Sequence, residues 1–252
     1  MLPKITENLR CERVSKHLAV FEISRPKALN AMAYDFLPEA HELLDDLEND
    51  LSIRAVVLTG AGDKAFSAGG DLREEMNSSI SNHARLFRFN ELGGQLCLKI
   101  LRSRLPFVAA VNGYAFGAPL AMIGACDLSL ASESAVFGLP TCSLGGIAGW
   151  GCTQIVARLV GAHNVKRMLL LNEWLDAAEA MRIGLVSRVV PVKDLKPEAL
   201  AIEHEYLREC NVMPVFAEGI AAQLEKRPPR FETVDDFEQR KSLYARLKSL
   251  AE

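Results

Sequence analysis

Two glycine-rich stretches offer backbone rather than side chains for chemistry: Ala68-Gly69-Gly70-Asp71-Leu72 and Asn112-Gly113-Tyr114-Ala115-Phe116-Gly117-Ala118-Pro119. Each comes after an apolar run that reads as a strand, and each is poor in side chains where the chain must turn. Small residues let a ligand approach main-chain N–H groups, and two such donors converging on one oxygen make an oxyanion hole. The second stretch leads into residues 117–125, expected to be helical, whose amino-terminal partial positive charge favours developing negative charge. Pro119 suits the first helical position and is expected to force Ala118 out of the α region while leaving the Ala118 N–H free. Glycine-rich strand ends are common in α/β proteins, so composition alone leaves other uses of these turns open.

A third stretch, Thr59-Gly60-Ala61-Gly62-Asp63-Lys64-Ala65, matches the GxGxxA pattern of dinucleotide sites. That pattern needs a helix to open at the glycines so that its first N–H groups meet a pyrophosphate. Phe66-Ser67-Ala68-Gly69-Gly70 follows instead, without helical periodicity, so the stretch reads as a plain turn. The six cysteines are scattered without a CxxC pair, and the five histidines form no HExxH helix, so free thiols and no bound metal are expected.

The elements that must position these turns follow from periodicity. Residues 9–14 and 17–23 read as an opening hairpin. Phe36, Leu37, Ala40, Leu43, Leu44 and Leu47 recur at helical intervals, with Pro38 tolerated in the first turn. Residues 55–59, 107–111 and 127–131 are short apolar runs expected of strands covered on both faces. The order β-β-α-β-α-β-α-β favours a layered α/β domain with right-handed connections. Helix formers dominate from Asn164 onward, and residues 231–252 read as a final charged amphipathic helix after Pro228-Pro229. The expected division is a core over 1–190 and a helical region over 191–252.

The 252 residues, 49% of them hydrophobic, are enough for a sizeable core without disulfides or metals. A net charge of −3 gives no global basic field for nucleic acid or an anionic membrane, so an anionic ligand must be held by local groups. Residues 1–10 lack the apolar core of a signal peptide. The longest apolar stretch, 114–126, is broken by Gly117, Pro119 and Gly124 and falls short of the ~18–20 residues of a membrane span. A soluble, cytoplasmic protein is expected.

Five ordered motifs carry a family resemblance: Arg25-Pro26-Lys27-Ala28-Leu29-Asn30-Ala31, Ala65-Phe66-Ser67-Ala68-Gly69-Gly70-Asp71-Leu72, Ala109-Ala110-Val111-Asn112-Gly113-Tyr114-Ala115-Phe116-Gly117, Phe137-Gly138-Leu139-Pro140 and Gly184-Leu185-Val186. In order and spacing the chain resembles the crotonase superfamily, the enoyl-CoA hydratase/isomerase family. The resemblance implies a spiral of ββα repeats with a helical carboxy-terminal region, a homotrimer or dimer of trimers, and an acyl-CoA thioester substrate with no cofactor beyond its CoA moiety. It also implies that the N–H groups of Gly70 and Ala118 hold the thioester carbonyl, and that Lys27, Ala28, Ala68, Asp71 and Leu72 line the CoA site.

The chain departs from that family where proton transfer is done. The resemblance places the two hydratase glutamates at positions occupied here by Ala121 and Thr141, and the acid of some isomerases and hydrolases at Gly149. Hydration needs one group to deprotonate water and another to protonate the α-carbon. Isomerisation, decarboxylation or other enolate chemistry is therefore expected, with a non-catalytic acyl-CoA-binding or scaffold protein as the alternative. Asp71 and Thr141 are the candidate catalytic side chains. Glu74, Glu75 and His83 read as solvated groups on a lid segment. Cys142 is either a thiol nucleophile or an inert cysteine. Tyr114, Gly117, Pro140, Leu144 and Trp150 complete the candidate substrate contacts, Trp150 as a pocket wall or a core aromatic.

Overall fold

The computed structural model describes residues 2–201, 222, 223 and 225–228, with the side chains of 78–81 excepted. The chain divides into two compact units, Met1–Leu200 and Ala201–Glu252, and the architecture below is that of the first. The final helix expected over 231–252 lies outside the described residues.

The opening hairpin forms as the alternation requires. Strands β2 (Leu9–Arg13) and β3 (Leu18–Ile23) pair antiparallel with Leu9 opposite Ile23, and a two-residue strand β1 (Lys4–Ile5) pairs with β2. Helix α1 (Phe36–Asn49) buries the six apolar residues of its predicted face. Three internal repeats then share one plan. Strand β4 (Ala55–Gly60) is followed by β5 (Ala65–Ser67) and the helices α2 (Leu72–Ser81) and α3 (His83–Leu101). Strand β6 (Phe107–Val111) is followed by β7 (Tyr114–Phe116) and α4 (Pro119–Ala125). Strand β8 (Leu128–Ser132) is followed by β9 (Val136–Gly138) and a 3₁₀ turn, Pro140–Leu144.

The first strand of each repeat joins a seven-stranded sheet of order β1-β2-β3-β4-β6-β8-β11, completed by β11 (Arg188–Val190). The second strand of each joins a four-stranded sheet of order β10-β9-β7-β5, with β10 (Leu175–Asp176) antiparallel at its edge. These are the ββα repeats that the family resemblance implied. The periodicity reading gave only the large sheet, because β5, β7 and β9 are three residues each, too short for alternation to show.

From β3 onward the large sheet is parallel, and the segments of β4 and β6 are buried throughout, as expected of strands covered on both faces. In the small sheet β5, β7 and β9 also run parallel. Ala65 pairs with Tyr114 but Ser67 with Ala115, so the β5–β7 register shifts between them.

The GxGxxA stretch is a turn between two strands, and β5 begins where a nucleotide-binding helix would have to open. Asn112 Nδ2 donates to the carbonyls of Gly60 (2.9 Å) and Gly62 (2.7 Å), and Asn30 Nδ2 donates to those of Ala61 (2.9 Å) and Ala65 (2.7 Å). The backbone acceptors of this turn are thereby satisfied from within the fold.

Candidate active site

Parallel strands end on the same side of a sheet, and the loops beyond their carboxyl ends are where α/β folds collect ligands. In the small sheet this rule has a specific content. Ser67 is in register with Ala115, and Gly70 and Ala118 each lie three residues further along their chains. Ala115 is in register with Phe137, which brings Pro140 and Thr141 to the same end. The three middle motif segments, 65–72, 109–117 and 137–140, are thus gathered by one sheet.

Gly70 is held from one side by a short parallel bridge. The N–H of Met32 donates to the Gly69 carbonyl (2.8 Å) and the N–H of Asp71 donates to the Met32 carbonyl (3.0 Å). In such a bridge the intervening residue turns its own N–H away, so that of Gly70 faces away from Met32 and has no acceptor among the described residues. The Ala118 N–H likewise has none, whereas its neighbour Gly117 donates to Gly138 (2.9 Å). An oxyanion hole requires backbone donors free of other acceptors, and both of these N–H groups meet that requirement among the described residues.

Ala118 differs from the expectation in one respect. Its backbone is α-helical, at φ −49° and ψ −38°, despite the following proline. The reversal is made one residue earlier, at Gly117 with φ +73°, a value that suits glycine. Ala118 can then enter the helical region and accept from the N–H of Ala121 (3.0 Å). The pre-proline preference is overridden by this first turn of α4.

The loop carrying Lys27 and Ala28 is stitched to the Gly70 segment. Asn30 is fully buried with φ +56°, and its side chain accepts from the Arg25 N–H (3.0 Å) besides its two donated bonds. Ser67 Oγ donates to the Asn30 carbonyl (2.7 Å), and the Ala68 N–H to Leu29 (2.9 Å). Lys27, Ala28 and Leu72 are exposed at this edge, and Ala68 is half-buried.

Three acids follow Gly70, and the fold gives them different tasks. Asp71 accepts from Arg25 Nη1 (3.0 Å) and from the N–H of Arg73 (3.1 Å), while its carbonyl accepts from the Glu75 N–H (2.9 Å). It thereby caps α2. Burial raises the Asp71 pKa, but the hydrogen bond and charge of Arg25, with the Arg73 and Glu74 N–H groups, outweigh this and hold it below the ordinary value. Glu74 accepts from the Tyr34 N–H (2.8 Å). Glu75 makes no side-chain hydrogen bond among the described residues, and its Oε1 occupies the space that a Cβ on Gly70 would need. Burial, and then the negative charge of Asp71, raise its pKa above the ordinary glutamate value. Glu74 and Glu75 are therefore half-buried groups facing the turn, not the solvated residues that the run of charges suggests.

An aromatic wall closes the same face. The Phe89 ring edge also lies against Gly70, 3.3 Å from where a Cβ would stand. Phe89 packs on Tyr34 (centroids 4.6 Å apart) and on Trp150 (5.3 Å). Trp150 is buried, with its indole lying over Gly93 of α3 and its ring edge on Phe89.

The remaining candidates divide. Thr141 and Pro140 are half-buried at the β9 end, and the Thr141 hydroxyl has no partner among the described residues. Leu144 is exposed in the same 3₁₀ turn. Tyr114 begins β7, at the end opposite Gly117, and stacks on Phe116 (5.6 Å) in an exposed position. Ala121 is fully buried in α4. Cys142 is half-buried. Cys152, in contrast, donates its thiol to the Gly117 carbonyl (3.5 Å), and burial pushes its pKa up to about 12, which makes it a poor nucleophile.

Residues 13–236 match the family model described as enoyl-CoA hydratase/isomerase. The chain belongs to the enoyl-CoA hydratase/isomerase family. Among curated relatives of this family member, a short-chain-enoyl-CoA hydratase of Clostridium acetobutylicum is 38% identical over 207 residues, covering 81% of this chain and 77% of the relative. A crotonyl-CoA hydratase of Syntrophomonas wolfei is 39% identical over 196 residues, covering 78% and 74%. Among solved structures of the family's fold, DspI of Pseudomonas aeruginosa superposes with a TM-score of 0.80 at 31% identity, covering 90% of this chain and 97% of that one. An enoyl-CoA hydratase of Bacillus anthracis gives 0.76 at 27% identity, covering 96% and 90%. The fold is accordingly the crotonase fold, and the chain is an enzyme-family member of the acyl-CoA class.

Proposed function

We propose that this chain binds an acyl-CoA thioester and stabilises its enolate between the N–H groups of Gly70 and Ala118. The observation that carries the reading is the pair of N–H groups without acceptors among the described residues, each three residues beyond the Ser67–Ala115 pair. Removal of one such donor typically costs ~2.7–4 kcal/mol of transition-state stabilisation. Lys27, Ala28, Ala68, Asp71 and Leu72 form the CoA side of the site, and Pro140, Thr141, Leu144 and Trp150 the acyl side. No cofactor beyond the CoA moiety is required, because the thioester itself takes up the charge. The working assembly is a homotrimer or dimer of trimers in the cytoplasm.

Ala121 and Thr141 stand where the resemblance puts the hydratase carboxylates, so hydration lacks both of its proton carriers. The reaction class is isomerisation, decarboxylation or another step through an enolate. The test is mass spectrometry of saturated, unsaturated and malonyl-type acyl-CoAs incubated with the protein in D₂O. Deuterium entry or loss of carbon dioxide supports the reading. Tight binding without any change in the thioesters would favour a non-catalytic acyl-CoA-binding protein.

A further inference from the structure

We propose that Glu75 is the proton-transferring group of this site, standing in for the carboxylates absent at positions 121 and 141. The inference rests on the acyl-CoA reading above and names the group that this reading lacks.

Three observations converge on Glu75. The first is place: its carboxyl fills the space beside Gly70 that any Cβ would take, next to one of the two free N–H donors. A thioester oxygen held about 2.9 Å from that nitrogen keeps its carbonyl carbon and α-carbon only one and two bonds further away. The carboxylate and the reacting carbon then share one small volume. The second is elimination among neighbours. Asp71 is committed to Arg25 and to capping α2, and Glu74 to the Tyr34 N–H, so of the three acids only Glu75 is without a partner among the described residues. The third is how it is held. Its own N–H bonds to the Asp71 carbonyl, which fixes its position in the first turns of α2, while Phe89 flanks the same glycine with an apolar ring. A half-buried carboxylate beside an apolar ring binds a proton more readily than one in water, which suits a group that must take one and give it back.

The step balances with one carboxylate and no co-reactant. Glu75 removes a proton from the α-carbon of a 3-enoyl thioester, so that the C–H bond breaks and an O–H bond forms on the carboxyl. The C–H electron pair moves into the thioester carbonyl, giving a dienolate whose oxygen lies between the N–H groups of Gly70 and Ala118. The protonated Glu75 then delivers the proton to the γ-carbon, the double bond shifts to the α,β position, and the carboxylate is restored. With a saturated thioester the same cycle returns the proton to the α-carbon and is visible only as isotope exchange. The reaction class is thus 3-enoyl to 2-enoyl isomerisation.

The experiment follows the full chain with a saturated and a 3-enoyl CoA thioester in D₂O, with calorimetric titration of each in parallel. Wild type is expected to exchange α-hydrogen and to conjugate the 3-enoyl chain. Glu75→Gln is expected to lose about 10²-fold or more of both rates while binding the thioesters as wild type does. Glu75→Asp is expected to recover part of the rate, and Glu74→Gln to stay near wild type. Undiminished exchange in Glu75→Gln would overturn the role of Glu75 and leave the acyl-CoA reading standing. Loss of binding together with exchange in both Glu75 variants would make Glu75 a binding residue and overturn it too. Wild type that binds but does not exchange would overturn the role of Glu75 and leave a binding protein. Wild type that binds no thioester would overturn the acyl-CoA reading itself.

Discussion

The turns that close β5 and β9 flank the same strand, β7, yet they are held in different ways. The β5 turn is tied to distant parts of the chain: to Met32 by two backbone bonds, to Asn30 through Ser67, and to Arg25 through Asp71. The β9 turn is tied mainly to itself. The N–H groups of Gly145 and Gly146 reach back to Cys142 and Thr141 (3.0 Å each), Ser143 Oγ donates to Pro140 (2.7 Å), and residues 143–147 are exposed. The resemblance would put a catalytic carboxylate on the second of these turns. In this chain the half-buried carboxylate without a partner among the described residues, Glu75, follows the first turn, where long-range bonds hold the backbone. Proton chemistry requires fixed geometry as well as an acid, and here the long-range bonds and the acid occur together.

The contrast can be broken or sharpened in several ways. The largest effect is expected just beyond the strand between the turns, at the start of α4. Ala118→Pro removes one free N–H, and the existing φ of −49° already lies near the range of proline. Deuterium exchange into a bound acyl-CoA should fall by about 10²–10³-fold, as read by mass spectrometry. Next, Asn30→Ala should cost about 1–3 kcal/mol of stability, because the Ala61 and Ala65 carbonyls lose a buried donor; denaturant unfolding would measure it. Thr141→Val, in the locally tied turn, should stay within about 0.5 kcal/mol in the same assay. A comparable loss at both positions would remove the distinction between the turns.

Two titration experiments are finer. Asp71→Asn keeps a capping acceptor for α2 but removes the negative charge that raises the Glu75 pKa. It also leaves Arg25, the other charged group at this junction, without its carboxylate. Both changes favour ionised Glu75, so the acid limb of the exchange-rate profile should move to lower pH. The second concerns stability. The folded pKa of Glu75 is raised, so its favourable contribution is present below the ordinary glutamate value and is lost as pH rises through the folded value. Glu75→Gln does not titrate, so its melting temperature should gain on wild type as pH rises through that window. No pH dependence in the difference would mean that Glu75 is not desolvated.

How much of this was legible in the sequence depends on whether a residue's task is local. Gly69 announces a turn because the conformation itself demands it: it has φ +99°, and a Cβ there would meet the Phe116 carbonyl at 2.7 Å. The face of α1 and the strands of the large sheet were legible from period alone. The small sheet was not, since three residues such as Tyr114-Ala115-Phe116 carry no period. The helical backbone of Ala118 was misread because a local rule about proline yields to a glycine placed just before it. Glu75 was hidden for another reason. The acids Asp71, Glu74 and Glu75 look like any solvated run of charge, and only Arg25 and Tyr34, 40 or more positions away in the chain, tell them apart by engaging Asp71 and Glu74.

The register shift between β5 and β7 sets the phase of the site. Continued from the Ala65–Tyr114 pair without interruption, the two strands would bring Gly69 abreast of Ala118. Gly69 is the residue whose N–H is already taken by Ser67 Oγ (3.2 Å). The one-residue slip around Phe66, a fully buried side chain, advances the frame so that Gly70 takes that place. In the proposed site, which amide meets the ligand is therefore decided by a core residue. A deletion at this point would keep both glycines and Asp71 in the sequence and put the wrong hydrogen in the proposed site.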